Sequence, residues 1–340
     1  MRIFILLILF ISSILFLSFD SNNDLFIYPE SWQKPYYDFT KNPLTKDKIE
    51  LGRRLFYDPI LSKDSTISCV NCHSQFSAFT HIDHSLSHGI NDSIGLRNSP
   101  ALMNLAWNKS FMWDGAINHL DMQALAPISS PIEMGENITN VVYKLQNSKI
   151  YPKLFFNSFN DSIITGEHTL KAISQFMITL ISSNSKYDSV MRKQSFFTQQ
   201  EANGYKIFKA NCSTCHTEPL FTNFDFENNG LKVDQNLKDY GRMRITSNSN
   251  DSLKFKVPTL RNIEFSYPYM HDGRFKRLSD VVNHYTNEIE KSKTLSNKLK
   301  TKINLSSNEK VDLISFLLTL TDKEFLFNPK FGYLKELIFD

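Results

Sequence analysis

The 340-residue sequence carries little net charge: 38 basic and 35 acidic side chains leave a formal +3. That balance argues against nucleic acid or an anionic membrane surface as the main partner, although a modest positive patch can still steer a small acidic one. Strand-type alternation of apolar and polar residues is sparse, which points away from a sheet-rich architecture and toward a mainly helical one. Cysteine is missing outside two short motifs, and none follows the N-terminal apolar run closely, so a lipid-modified N-terminal cysteine is excluded. That run, Ile3 to Phe19, is broken only by Ser12, Ser13 and Ser18; it follows Met1 and Arg2 and precedes the polar stretch Asp20 to Asp24. It reads as an export signal within residues 1–22. About 17 apolar residues suit either a signal-peptide core or a short membrane anchor. The small-x-small cleavage pattern around Ser18 to Ser21 is poorly formed, so cleaved and anchored forms both stay open. The remaining length accommodates two domains of ordinary size, divided near the polar stretch Asn184 to Gln194.

All four cysteines lie in Cys69-Val70-Asn71-Cys72-His73 and Cys212-Ser213-Thr214-Cys215-His216. In an exported protein a lone CxxC leaves a structural disulfide open. Here each pair ends in histidine, and CxxCH is the attachment pattern of c-type haem: two thiolates add to the porphyrin and the adjacent imidazole ligates iron from one face. Zinc would need the two distant clusters to meet in one site, and a thioredoxin-like motif has no use for the repeated histidine.

Two segments upstream of these motifs look alike. Thr45 to Phe56 starts with a cap and an acidic first turn, and places Ile49, Leu51 or Leu55, and Phe56 along one face. Thr198 to Phe208 is again capped, amphipathic and followed by CxxCH. The loops differ, since Gly52 precedes Cys69 by 17 residues and Gly204 precedes Cys212 by 8. We read an internal duplication of a capped helix, a turn and a haem motif. Further helices are predicted near Ile138 to Gln146, His168 to Ser182 and Ser306 to Leu320, the last with Ser307 able to cap. Residues 25–50, rich in Pro, Tyr and Asn, read as a loop wrapping the first domain.

Several further motifs occur in order: Leu51-Gly52-Arg53-Arg54-Leu55-Phe56-Tyr57-Asp58-Pro59, Arg97-Asn98-Ser99-Pro100, Phe111-Met112-Trp113-Asp114-Gly115, Pro131-Ile132-Glu133-Met134, Pro258-Thr259-Leu260-Arg261-Asn262 and Tyr269-Met270-His271-Asp272-Gly273. With the two CxxCH motifs they resemble the bacterial di-haem cytochrome c peroxidases and their relatives that mature protein-derived cofactors, from about Leu51 to about Leu320. The resemblance implies a mainly α fold of two cytochrome c-like domains, each with one covalently bound c-type haem. Residues 23–185 would form the peroxidatic domain, 186–325 the electron-transfer domain and 326–340 a C-terminal extension. It implies reduction of hydrogen peroxide at the first haem with electrons from a small cytochrome c or cupredoxin received at the second. Location would be periplasmic, soluble or tethered by the N-terminus, and a homodimer is carried on the same basis.

Residue by residue, His73 and His216 would be the proximal iron ligands, an assignment CxxCH supports without the family. Glu133 stands where the family places its acid-base carboxylate, Gln123 where an amide orients peroxide, and Trp113 between the two haems. Read without the resemblance, Glu133 is a loop residue, Gln123 a polar helix residue and Trp113 core. His88 falls near the family's removable distal ligand, with His81 and His84 close by in sequence. At the second haem the methionine of typical peroxidases is replaced by Tyr285, the pattern of the cofactor-maturing relatives. A phenolate is a hard anionic ligand that favours ferric iron. The family also implies one calcium ion, here at Asn98, Ser266 and Pro268. Arg97 and Arg261 would meet haem propionates or hold the domain interface. Three functions compete: a peroxidase, a two-haem oxidase that modifies a protein partner, and an electron carrier with both irons blocked.

Overall fold

The computed structural model describes residues 25–81 and 83–333. The expected export segment lies outside them; among the described residues no helix is long and apolar enough to cross a membrane. The architecture is mainly helical, with one two-stranded antiparallel ribbon pairing Phe226–Glu227 with Phe255–Lys256.

Two helix pairs organise two hydrophobic cores. In the first, the Lys46–Tyr57 helix crosses the Gly166–Ile178 helix; in the second, Gln199–Asn211 crosses Ser307–Leu318. Each first helix starts where the sequence says, Thr45 accepting from Lys48 N and Thr198 from Glu201 N. Each crossing is closed by a glycine. A Cβ on Gly52 would overlap the Ala172 carbonyl, and one on Gly204 would overlap the Asp312 carbonyl. Both would also press on the phenylalanine one turn further along the partner helix, Phe176 and Phe316.

The duplication runs further than these helices. Asn104 and Asn262 both take left-handed φ, 55° and 56°. Asn104 N donates to Leu180 O at 2.9 Å and its Oδ1 accepts from Ser182 N at 3.0 Å; Asn262 N donates to Leu320 O at 3.0 Å and its Oδ1 accepts from Asp322 N at 2.7 Å. Seven residues after each asparagine a matched turn begins, with Phe111 N donating to Ile117 O and Tyr269 N to Phe275 O, both at 2.7 Å. Met112 and Met270, and Gly115 and Gly273, take positive φ in it. His271 therefore holds in the second unit the place of Trp113 in the first.

The predicted helices are present with shifted ends. The expected 168–182 helix is Gly166–Ile178, because Leu180 O and Ser182 N are taken by Asn104. Ser306, not Ser307, caps the Ser307–Leu318 helix, since a reciprocal box forms between Ser306 and Glu309. The 25–50 segment packs Trp32, Tyr37 and Leu44 into the first core. Residues Lys323–Phe331 return to that core too, where Phe325 and Phe331 pack on Phe79 at 5.6 and 6.4 Å between ring centroids. Arg261 is fully buried in a two-pronged pair with Asp188 and lies 4.8 Å from the Trp32 ring centroid. Arg97 joins the halves of the chain, pairing with Asp114 at 2.7 Å and Asp239 at 2.6 Å.

Candidate active site

The two CxxCH motifs open onto two cavities, of about 360 Å³ for the first and about 280 Å³ for the second. Cys69–Cys72 form one helical turn, which puts both sulfurs on the same side as His73. All four cysteine sulfurs are free of disulfide bonds. Burial pushes the Cys69 and Cys212 thiols up to about 12.

The histidines are held alike. His73 Nδ1 lies 2.8 Å from Phe79 O, and His216 Nδ1 lies 3.1 Å from Phe221 O and 3.2 Å from Pro258 O. A carbonyl partner requires the proton on Nδ1 and leaves the Nε2 lone pair free, as a metal-bound imidazole requires. Burial pulls both rings down to about 4, so they are neutral at ordinary pH. Two free sulfurs, a neutral imidazole with Nε2 open and a largely apolar wall fit a covalently attached haem, and both cavities have this set.

The first cavity also gathers His88, Gln123, Glu133 and Trp113 around the Cys69-to-His73 turn. Glu133 is held by a backbone bond to Ser130 O at 3.1 Å, and its own carbonyl accepts from Ile90 N at 2.8 Å. Gly89 makes this possible, because any Cβ there would overlap the Ile132 and Glu133 backbone. The loop bearing His88 is thus pressed directly onto Glu133. Burial raises the Glu133 carboxyl above the usual carboxylate range. Gln123 points its amide at Met112 Sδ, 3.8 Å away. Of the three neighbouring histidines only His88 lines the cavity; its ring stacks on His84 at 4.1 Å and its Nδ1 lies 2.9 Å from Asp92 Oδ1.

Trp113 belongs to both cavity walls, together with Asn98, Ser99, Pro100 and Met112. Its Nε1 donates to Asn98 O at 2.8 Å. The second cavity collects Cys212, Cys215, His216 and Tyr285. Tyr285 sits in a five-residue π-type widening, His284–Glu288, that follows the Leu278–Asn283 helix; such bulges are frequent at functional sites. Burial pushes its hydroxyl up to about 12. Met270 lines this cavity as well, with Asn229 Nδ2 3.5 Å from its Sδ. Asn98, Ser266 and Pro268 all line the second cavity. Among the described residues no cluster of three or more His, Cys, Asp or Glu is arranged to hold a metal ion.

Sequence reasoning missed three contributors. Arg244 and Ile245 reach the first cavity from the other half of the chain, and no local pattern marks them. Lys256 lines the second. The shared wall had a signal, the matched spacing of Pro100 to Asn104 and Met112 against Pro258 to Asn262 and Met270.

Known proteins resemble this chain over most of its length. The model of the family described as di-haem cytochrome c peroxidase matches residues 46–195. The methylamine utilization protein MauG of Methylorubrum extorquens is 34% identical over 304 residues, 86% of this chain and 82% of that one. The cytochrome c551 peroxidase of Nitrosomonas europaea is 35% identical over 245 residues, covering 71% and 73%. A crystal structure of a MauG-like protein associated with microbial copper homeostasis superimposes with TM-score 0.81 at 30% identity, over 90% of this chain and 97% of that one. The diheme peroxidase BthA from Burkholderia thailandensis, at 20% identity and TM-score 0.74 over 87% and 92%, shares the fold. With both CxxCH cavities in place and relatives of this extent on either side of it, the chain belongs to the di-haem cytochrome c peroxidase family.

Proposed function

We propose that this protein is an exported, periplasmic di-haem peroxidase that reduces hydrogen peroxide to water in the His73 cavity, drawing electrons from a small redox protein through the His216 side. The observation that carries the reading is the meeting of Glu133, Gln123 and Trp113 with the first CxxCH turn in one cavity. Bound haem would supply an open iron position for peroxide and a one-electron store at each centre. The residues do the rest. Glu133, with its carboxyl raised by burial, takes the proton from the oxygen nearer the iron and returns it to the departing one. Gln123 offers amide hydrogens to orient the peroxide. Trp113, in both walls, relays electrons between the cavities. His88, in the wall of the same cavity, would serve as a removable ligand to the haem iron. Tyr285 would be a ligand to the second haem, and a calcium ion would draw oxygen donors from Asn98, Ser266 and Pro268.

A second reading is favoured by Tyr285 alone. A phenolate ligand holds oxidising equivalents better than methionine does, so the electrons could come from side chains of a protein substrate instead of a small donor. Peroxide-dependent oxidation of a reduced small cytochrome separates the two. The test is run on haem-loaded protein, fully oxidised and after one electron per molecule. Turnover only after reduction supports the peroxidase with His88 as removable ligand. No turnover in either state refutes it and leaves the protein-modifying oxidase or the electron carrier. A Glu133→Gln variant that still reduces peroxide at the parent rate removes the acid-base role.

A further inference from the structure

Two lysines, Lys256 and Lys298, line the second cavity, and the surroundings of their ammonium groups differ. Lys298 Nζ lies 2.9 Å from Glu227 Oε1, so it faces the cavity as half of a neutral pair. Among the described residues Lys256 has no such partner. Its Nζ donates to the Ser110 carbonyl at 2.9 Å and lies 5.8 Å from the Phe111 ring centroid. Its backbone is fixed on both sides, N donating to Trp113 O at 2.7 Å and the residue pairing with Phe226 in the short ribbon. Burial, with no charged neighbour contributing, pulls this ammonium down to about 8.

A buried cation whose fixed partners are all neutral is unfavourable unless an anion completes the site. The cavity that Lys256 lines is the one holding Cys212, Cys215 and His216. A haem attached there brings two propionate carboxylates, and Lys298 is already neutralised by Glu227. We propose that Lys256 is the propionate-binding cation of the haem attached at Cys212 and Cys215, and that it sets that haem's reduction potential upward. An ammonium against a propionate favours the reduced centre, which has one more negative charge than the oxidised one. The inference rests on the cofactor reading of this cavity but not on Tyr285 or on the identity of the electron donor.

The test uses the holoprotein with Lys256→Met, Lys256→Gln and Lys256→Arg, titrated spectroelectrochemically. Relative to wild type, the Met and Gln variants should shift the one-electron equilibrium of the Cys212/Cys215 haem at least about tenfold toward the oxidised form, about 59 mV, while Arg stays within about threefold. The Cys69/Cys72 haem should stay within about threefold in all three. If Lys256→Met does not accumulate as holoprotein, Lys256→Gln decides. Unchanged potentials with both haems attached overturn the Lys256 assignment, as do equal shifts at both haems. One haem per chain in the wild-type protein overturns the cofactor reading instead, and the haem-to-protein ratio reports that separately.

Discussion

Replacing Gly204 by alanine tests the crossing that carries the second CxxCH. The added Cβ would lie 2.6 Å from the Asp312 carbonyl carbon and 2.8 Å from Phe316 Cβ, where ordinary contact begins at 3.4 Å. The obstacle is helix backbone, which cannot rotate aside. The two helices must separate by about 1 Å, and overpacking of this kind costs about 1–3 kcal/mol. Alanine returns about 1 kcal/mol through better helix propensity. Because the clash is with a fixed carbonyl, we place the cost at the upper end and expect a net loss of about 2 kcal/mol. At roughly 2 °C per kcal/mol for a chain of this size, Tm should drop by about 4 °C. Gly52→Ala should give a matched loss, since its Cβ would lie 2.7 Å from the Ala172 carbonyl carbon. The assay is thermal unfolding by circular dichroism, with Lys206→Ala, at an exposed site of the same helix, as a control. A Gly204→Ala protein with an unchanged or higher Tm would refute the close crossing, since helix propensity alone predicts stabilisation.

Three other expectations follow from the site and its supports. Arg261→Met leaves Asp188 as a buried unpaired carboxylate and should cost about 3–5 kcal/mol in denaturant unfolding. A loss below about 1 kcal/mol, the range of an exposed ion pair, would show that the pair is not buried as described. Peroxide turnover should fall with decreasing pH as Glu133 takes up its proton, and because burial raises this carboxyl, the fall should lie above the usual carboxylate range. In Glu133→Gln that limb should vanish along with about 100-fold or more of the rate, and a variant keeping the limb assigns it elsewhere. Tyr285→Phe should change the low-spin haem spectrum; an unchanged spectrum would remove Tyr285 as a ligand.

What could be read from the sequence was whatever short-range chemistry decides. Thr45 and Thr198 cap their helices because a hydroxyl and a nearby backbone N–H suffice. The cap at Ser306 was misplaced by one residue because two serines adjoin, and only the reciprocal bond from Glu309 selects between them. The end of the Gly166–Ile178 helix was misjudged for a long-range reason: Asn104, 78 positions away, takes the backbone of Ser182. Arg261 had two proposed roles, and its structural one emerges only through Asp188 and Trp32, each distant in sequence. Glu133, Gln123, His88 and Trp113 are ordinary residues singly, and motif order marked them where composition could not. Lys256 gave no signal at all, since a single lysine reads as surface.

The return of Lys323–Phe331 to the first core has a consequence for how the protein is made. Phe79, whose carbonyl orients His73, is packed by Phe325 and Phe331. Tyr57 OH donates to Phe331 O at 2.8 Å across 274 positions, and Gln75 Nε2 to Asn328 O at 2.8 Å across 253. Contacts of such separation form late, after the intervening chain has been ordered. The wall behind His73 therefore closes only after the second half of the chain has been ordered, so a chain cut before Lys323 should leave Phe79, and with it the carbonyl that orients His73, without part of its packing.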